Sequence, residues 1–412
     1  MDVFLIFEDQ ELKVTDELLK SMKQHFILLR CQQYKSFSDK FSYSKYENVD
    51  VLEIDIFIPA KLTAEYILKY CKSKNFNIIR GLNLSEKCQY IAQDVFRELK
   101  INFLSYEVTL IGKDKIYMKD FFKKNGIRTV EYKEVFTIQE IKEILKDWKY
   151  KGILKPRNSD SCREIISIDN QKTLNALKDM DLSKGWILEK KINFSNMKEY
   201  AVDISVIKKN IQTLFITEYP SPLLETVSDL KINGNISVNI LELEFRDELV
   251  SSIKRFIKNL DMSEGLLHLE FFFSKGKIYF SEVGFRLGGG DIVYNHERAF
   301  KVEYHNILKN ILLIESYSFF YNTYSCASEL LLPIIKEGKI TNIEGIEKIR
   351  RIPNVEKIEI YFNTNDTIKR NITSFECFGK VFLRTKNTFE AKKYMKEILR
   401  VFNYNVLEEL DV

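Results

Sequence analysis

The segment His268-Leu269-Glu270-Phe271-Phe272-Phe273, with Ile278-Tyr279-Phe280-Ser281-Glu282-Val283-Gly284-Phe285-Arg286 a few residues on, puts one carboxylate on each of two extended runs rich in aromatic residues. Side chains alternate faces along a strand, so the loop between the runs determines whether the two acids meet. A loop with an odd number of residues, such as Lys275-Gly276-Lys277, places Glu270 and Glu282 opposite each other on one face. A two-residue loop sends them to opposite faces. Like charges directly opposite are destabilising, and desolvation among phenylalanines raises both pKa values as well. A divalent cation between the carboxylates would make sense of such a pair. Oxygen ligands favour magnesium, which also takes oxygens from substrate phosphates, with manganese as the substitute. The competing reading is a solvent-facing strand edge with ordinary glutamates. Arg286, four residues past Glu282, favours the metal, because its fixed planar charge suits a transferring phosphoryl group. Gly288-Gly289-Gly290 follows; its amides can approach an anion closely, or it is a flexible turn.

Upstream lie further groups suited to a nucleotide. Lys155 ends a predicted strand at 152–156, where a lysine aimed into a cleft binds phosphate as a point charge. Lys115 heads a predicted helix, whose N-terminus also favours phosphate. Each could equally be a solvated surface lysine. Ile187-Leu188-Glu189-Lys190-Lys191-Ile192 reads as a strand edge whose backbone groups can bond a purine. Lys198-Glu199-Tyr200-Ala201-Val202-Asp203 puts Glu199 at a strand start, within reach of a ribose. Taken singly, both glutamates read as surface residues. His268 shares a strand face with Glu270 and is either an acceptor contact or a hydrogen-bonded core histidine. His296 reads as a helix-surface residue, with a substrate contact as the alternative.

The order of elements gives the architecture. Residues 3–7, 26–30, 49–58 and 78–81 read as strands alternating with helices at 15–25, 63–74 and 85–99, which predicts an open parallel sheet. This N-terminal α/β domain spans 1–111. It lacks G-x-G-x-x-G, so nothing points to a dinucleotide. A second unit spans 112–320, with a nucleotide-clamping part at 112–190 and a larger catalytic part at 191–320. Its predicted helices are 113–125, 138–149, 171–180 and 247–260. Hairpins are predicted at 200–217, turning on Lys209-Asn210, and at 266–283. The tail, 321–412, reads as a small α+β domain. The fold class is multidomain, α/β and α+β.

Composition excludes several classes of function. A chain of 412 residues is too long for one core. Its 63 basic and 59 acidic side chains, net +4, give no electrostatic case for a nucleic acid or a membrane. Six cysteines without a C-x-x-C pair, and four histidines, argue against structural zinc and for reduced thiols in a cytoplasmic protein. Asp2 argues against a signal peptide. The best apolar stretch, 307–314, is interrupted by Lys309 and too short to span a bilayer.

Taken in order, Lys115, Lys155-Pro156, Leu188-Glu189-Lys190-Lys191-Ile192, Glu199-Tyr200-Ala201-Val202-Asp203 and the Glu270/Glu282/Arg286 set resemble the ATP-grasp superfamily over residues 112–314. The segment 269–286 is similar to the magnesium hairpin of biotin carboxylase and carbamoyl phosphate synthase. Ser85-Glu86 fits the opening of the helix before the grasp domain. The tail from Cys326, with Gly379-Lys380-Val381, is similar to the small C-terminal domain of bacterial L-amino-acid ligases. The resemblance implies an ATP-grasp fold, with ATP and magnesium as cofactors. It implies that Lys115, Lys155 and Arg163 contact ATP, that Glu189 and the backbone of Lys190, Lys191 and Ile192 hold adenine, and that Glu199 holds ribose. Glu270 and Glu282 then bind magnesium, and Arg286 stabilises an acyl phosphate and its transition state. Gly289 joins the histidines as a substrate contact.

Two departures stand out. Gly284 replaces an asparagine common in the family, and Ser161-Cys162-Arg163-Glu164-Ile165 replaces Gly-Ser-Arg-Gly-Val in the phosphate loop. Three functions remain open. The first is a carboxylate–amine ligase, for amino acids, forming ADP and phosphate. The second transfers an amino acid to the thiol of an acyl carrier protein. The third, motivated by the altered loop, is an ATP-binding sensor or assembly subunit without turnover. The joint presence of Glu270, Glu282, Arg286 and both lysines favours an enzyme. Many relatives are dimers, so a homodimer is an open expectation.

Overall fold

The computed structural model describes residues 1–8, 13–31, 33, 43–158, 164–192, 197–228, 231–317, 324–369 and 376–407. Its N-terminal strands β1 (Asp2–Phe7), β2 (His25–Cys31), β3 (Val49–Ile54) and β4 (Asn77–Asn83) form a sheet in the order β3-β2-β1-β4. All three pairings are parallel, as the alternation of strands and helices predicts. Val3 to Phe7 are almost completely buried, because a central parallel strand is covered on both faces. The expected helix from 85 starts only at Gln89. Ahead of it the Asn83 side-chain Oδ1 accepts from the Ser85 amide (3.2 Å), and the Ser85 hydroxyl accepts from the Cys88 amide (3.0 Å). Such short polar side chains compete with helical backbone bonds, and the turn they make carries Glu86.

The expected helix 113–125 is Lys115–Lys124, and a separate helix, Tyr106–Lys113, precedes it. Asp114 separates the two: it is extended, and its carboxylate accepts from the Ile116 and Tyr117 amides (2.9 and 3.3 Å). This N-cap puts Lys115 on the first helical position.

Strands β5 (Tyr132–Val135), β6 (Gly152–Pro156), β7 (Ile166–Ile168) and β8 (Trp186–Lys190) form a small antiparallel sheet, ordered β5-β8-β6-β7. The helix Ile138–Asp147, opened by a Thr137/Glu140 capping box, buries Ile141 and Leu145 against Leu154 and Leu188.

The larger sheet begins with β9 (Lys198–Ile207), β10 (Asn210–Tyr219), β11 (Gly234–Val238), β12 (Gly265–Ser274) and β13 (Lys277–Gly284). The first hairpin turns on Lys208-Lys209, both at positive φ, one residue earlier than expected. After these come β14 (Cys326–Leu332), β15 (Gly338–Glu344), β16 (Val355–Ile360), β17 (Thr367–Ile368), β18 (Gly379–Thr385) and β19 (Asn403–Leu407). The sheet order is β13-β12-β9-β10-β11-β14-β18-β16, so strands of the tail continue the sheet through β11. Strands β17, β15 and β19 make a separate three-stranded sheet.

Period-two alternation sorts the large sheet into two faces. Tyr200, Val202, Ile204, Leu267, Leu269 and Phe271 pack with Leu249, Ile253 and Phe256 of the helix Arg246–Asn259 in the main core. Glu199, Asp203, Ser205, Thr217, Tyr219, His268 and Glu270 alternate with them on the other face. No helix among the described residues is long and apolar enough to cross a membrane.

Candidate active site

Glu270 and Glu282 stand directly opposite each other across β12 and β13. The loop, however, is not of odd length. Ser274 pairs with Lys277, leaving a two-residue turn, Lys275-Gly276, with φ of 49° and 69°. That is the conformation favoured in tight hairpins, and alone it would put the two acids on opposite faces. A β-bulge restores the match: Phe271 pairs with Phe280 but Glu270 pairs with Glu282, so Ser281 is the extra residue. The expected shared face is therefore reached by a different route.

Lysines converge on this hairpin from the small sheet and the helix before it. Lys155 at the end of β6 lies 3.3 Å from Glu282 Oε1 and 3.2 Å from Glu189 Oε2. Lys115 lies 4.0 Å from Glu282 Oε2. Burial pushes the Glu282 carboxyl up, but the charges of Lys115 and Lys155 outweigh it and hold it below its ordinary range. This reverses the expectation from desolvation alone. Glu189 is buried, and its Oε1 lies 3.0 Å from Lys119. Burial there is outweighed by Lys119 and Lys155, which hold its carboxyl at about 2. Its carboxylate is thus engaged by two ammonium groups. The amides of Lys190 and Lys191 donate to the Glu131 and Lys151 carbonyls (2.8 and 3.1 Å).

Glu199 is buried, not on the surface, and its Oε2 accepts from the Leu223 amide (2.7 Å). Burial, then the neighbouring charge of Glu270, pushes its carboxyl up to about 8. Tyr219 donates to Glu270 Oε1 (3.3 Å). His268 lies between two acids, with Nδ1 3.1 Å from Asp203 Oδ1 and Nε2 3.5 Å from Glu270 Oε1. Burial opposes its charged form, but Asp203 prevails and raises it to about 9. His296 is fully buried, which corrects its reading as a surface residue. Its Nε2 is 2.9 Å from the Thr217 hydroxyl and its Nδ1 2.9 Å from that of Tyr304, and burial holds it neutral, at about 4.

Arg286, just after β13, donates through Nε to Glu86 and through NH1 to the Leu287 carbonyl (2.6 Å). Lys113 also binds Glu86, at 2.8 Å. In the glycine run, a Cβ on Gly288 would lie 2.9 Å from Asp203 Oδ1, so only glycine fits there without a shift. The Gly289 carbonyl accepts from the Ile292 amide (3.4 Å), and Gly290 has φ 59°. Arg163 and most of its loop lie outside the described residues. Sequence reasoning did not single out Lys119; its signal was the four-residue spacing from Lys115, which shares a helix face. Glu86 was noted only for its place in the chain.

Among the described residues no three His, Cys, Asp or Glu side chains could cage a metal. Magnesium does not require one, since it is usually held by one or two carboxylates plus waters and substrate phosphates. Two opposed carboxylates with lysines beside them fit that donor set.

A parallel N-terminal sheet, a small antiparallel sheet and a larger one carrying acids on its inner face are the layout of the ATP-grasp fold. Residues 120–288 match the family model of the ATP-grasp domain, so this part of the chain is an ATP-grasp domain and the chain has the ATP-grasp fold. Among solved structures it is similar to an L-amino acid ligase from Bacillus licheniformis, with a TM-score of 0.76 at 15% identity over 99% of both chains. It is similar also to N5-carboxyaminoimidazole ribonucleotide synthetase from Thermotoga maritima (TM-score 0.69, 17% identity, 99% of this chain and 100% of that one). A third is the biotin carboxylase domain of Hydrogenobacter thermophilus 2-oxoglutarate carboxylase, in complex with MgADP, ADP and bicarbonate (TM-score 0.65, 16% identity, 99% and 91%). No curated protein matches the chain. ATP-grasp family enzymes are ligases that use ATP.

Proposed function

We propose that this protein is an ATP- and magnesium-dependent ligase that activates a carboxylate, that of an amino acid, as an acyl phosphate and passes the acyl group to an amine. The observation that carries this reading is the opposed pair Glu270 and Glu282, with Lys115 and Lys155 within 4.0 Å of Glu282 and Arg286 on the same strand end. Glu270 and Glu282 would hold magnesium, which when bound neutralises phosphate charge. Lys115 and Lys155, now facing Glu282, would turn to ATP phosphates. A substrate carboxylate oxygen attacks the γ-phosphorus and ADP leaves. The amine nitrogen then attacks the acyl carbon, phosphate leaves, and the amine loses a proton. Arg286 is suited to hold the acyl phosphate, since its guanidinium keeps its charge beside Glu86. The chain's contribution is positioning and charge neutralisation. The likeness to an L-amino acid ligase along nearly the whole chain supports amino acids as substrates.

The test is ADP release from ATP and magnesium with amino acids offered singly and in pairs, with mass spectrometry of the products. The expected result is release that depends on the pair, and a product one water lighter than the sum of its parts. ATP binding without release in the presence of any pair would overturn the amino-acid reading.

A further inference from the structure

Lys119 is fully buried in the middle of the helix Lys115–Lys124, while Lys123 and Lys124 of the same helix are exposed. A buried ammonium is costly unless it is paired with an opposite charge and hydrogen-bonded. Lys119 Nζ has three partners: it forms an ion pair with Glu189 Oε1 at 3.0 Å, and it donates to the Thr129 hydroxyl (3.1 Å) and the Ser281 carbonyl (3.2 Å). They belong to β8, to the segment before β5 and to the bulge in β13. An extra bulge residue is left out of the ladder. Here Lys119 takes up the Ser281 carbonyl, while the Thr129 hydroxyl donates to the Phe280 carbonyl (2.7 Å) and the Phe280 amide to the Arg128 carbonyl (2.8 Å). Without the bulge, Ser281 would face Glu270, and Glu282 would point to the other side of the sheet.

We propose that Lys119 is a positioning residue for the metal site: its ammonium pins the bulge that turns Glu282 toward Glu270, and the same group holds Glu189 beside Lys155. The structural half of this inference stands on the contacts alone. The metal half rests on the function proposed above.

The test compares full-length wild type with Lys119→Met, Lys119→Arg and Thr129→Val, and with Lys123→Met as a control on the same helix. Hydrogen exchange without ligand reads the hairpin, and manganese binding in the presence of ADP, by calorimetry, reads the site. In Lys119→Met, the amides of Phe280 to Val283 should lose protection while those of β1 to β4 keep theirs. Manganese affinity should fall by about tenfold or more, the range for losing a group that orients a metal ligand. Lys119→Arg should recover part of both losses, Thr129→Val should shift both in the same direction by less, and Lys123→Met should match wild type. Should Lys119→Met fail to fold, Thr129→Val carries the test. Unchanged hairpin protection together with wild-type manganese affinity overturns the proposal. A wild-type protein that binds no manganese with ADP overturns the metal site itself, and with it the metal half; the exchange result still judges the structural half.

Discussion

Glu86, in the turn after the last strand of the N-terminal sheet, holds the guanidinium of Arg286, 200 residues downstream. Lys113 completes the contact from the helix between them. The turn after the N-terminal sheet therefore sets the direction of the arginine that the proposed chemistry depends on. Replacing Glu86→Gln keeps the shape and removes the charge. Displacement of a group near the reacting atoms costs about 100-fold per ångström, so a loss of about 10- to 100-fold in kcat is expected, with a much smaller change in the KM for ATP. Steady-state ADP release measures both. An equal rise in KM with kcat unchanged would assign Glu86 to nucleotide binding instead.

The same pair makes stability depend on acid. Burial pushes the Glu86 carboxyl up, but Arg286 and Lys113 outweigh it and hold it at about 2. A carboxyl with a folded pKa below its unfolded one stabilises the fold fully above the unfolded value. That contribution is lost as pH falls from about 4.5 toward 2, and it amounts to at most about 3 kcal/mol. Urea unfolding of wild type and Glu86→Gln should therefore differ most near neutral pH and converge only as the pH falls toward 2. Parallel curves across that range would mean that the ion pair contributes no pH-dependent stability.

Gly288 lies where a side chain has no room. A Cβ there would sit 2.9 Å from both Asp203 Oδ1 and Ile292 Cγ2. Asp203 cannot move freely, because it holds His268. Overpacking of this kind costs about 1–3 kcal/mol, so Gly288→Ala should lower the melting temperature. At Gly276, by contrast, a Cβ meets nothing within 4 Å and only the positive φ opposes it. Gly276→Ala should cost about 1 kcal/mol and leave nucleotide binding unchanged. Thermal unfolding with and without ADP separates the two cases.

These cases show what the sequence made legible. Glu270, Glu282 and Arg286 could be grouped from their chemistry and the family resemblance, but not from spacing, since the fixed period of a strand after a two-residue turn would have separated the two acids. The bulge could not be read, since Tyr279-Phe280-Ser281-Glu282 contains no glycine to mark it; it is held by Lys119 and Thr129, far away in the chain. Lys119 itself was hidden among the neighbouring lysines 113, 115, 123 and 124, and its full burial and its partners are tertiary properties. His296 was read as exposed because helical spacing alone does not show that the Ile292–Phe300 helix lies across β10 and meets Thr217. The parallel N-terminal sheet, in contrast, followed from local patterns throughout.

Glu282 faces two lysines without a ligand, and that gives its removal opposite effects on nucleotide and metal. In Glu282→Gln, Lys115 and Lys155 lose a competing carboxylate and face phosphates with less opposition. ADP should then bind at least as tightly as to wild type when metal is removed with EDTA. Magnesium should no longer add to that affinity, because one of two carboxylate ligands is gone. Glu270→Gln should also lose the magnesium increment, but without a gain in metal-free affinity, since no lysine is paired with Glu270 among the described contacts. For wild type, saturation to 100 times Kd raises stability by about 2.7 kcal/mol, so thermal shifts with ADP, with and without magnesium, can resolve the pattern. A magnesium increment that survives in both variants would move the metal away from the hairpin, whereas its loss in both with opposite metal-free behaviour is the signature expected of a bridging site flanked by lysines on one side only.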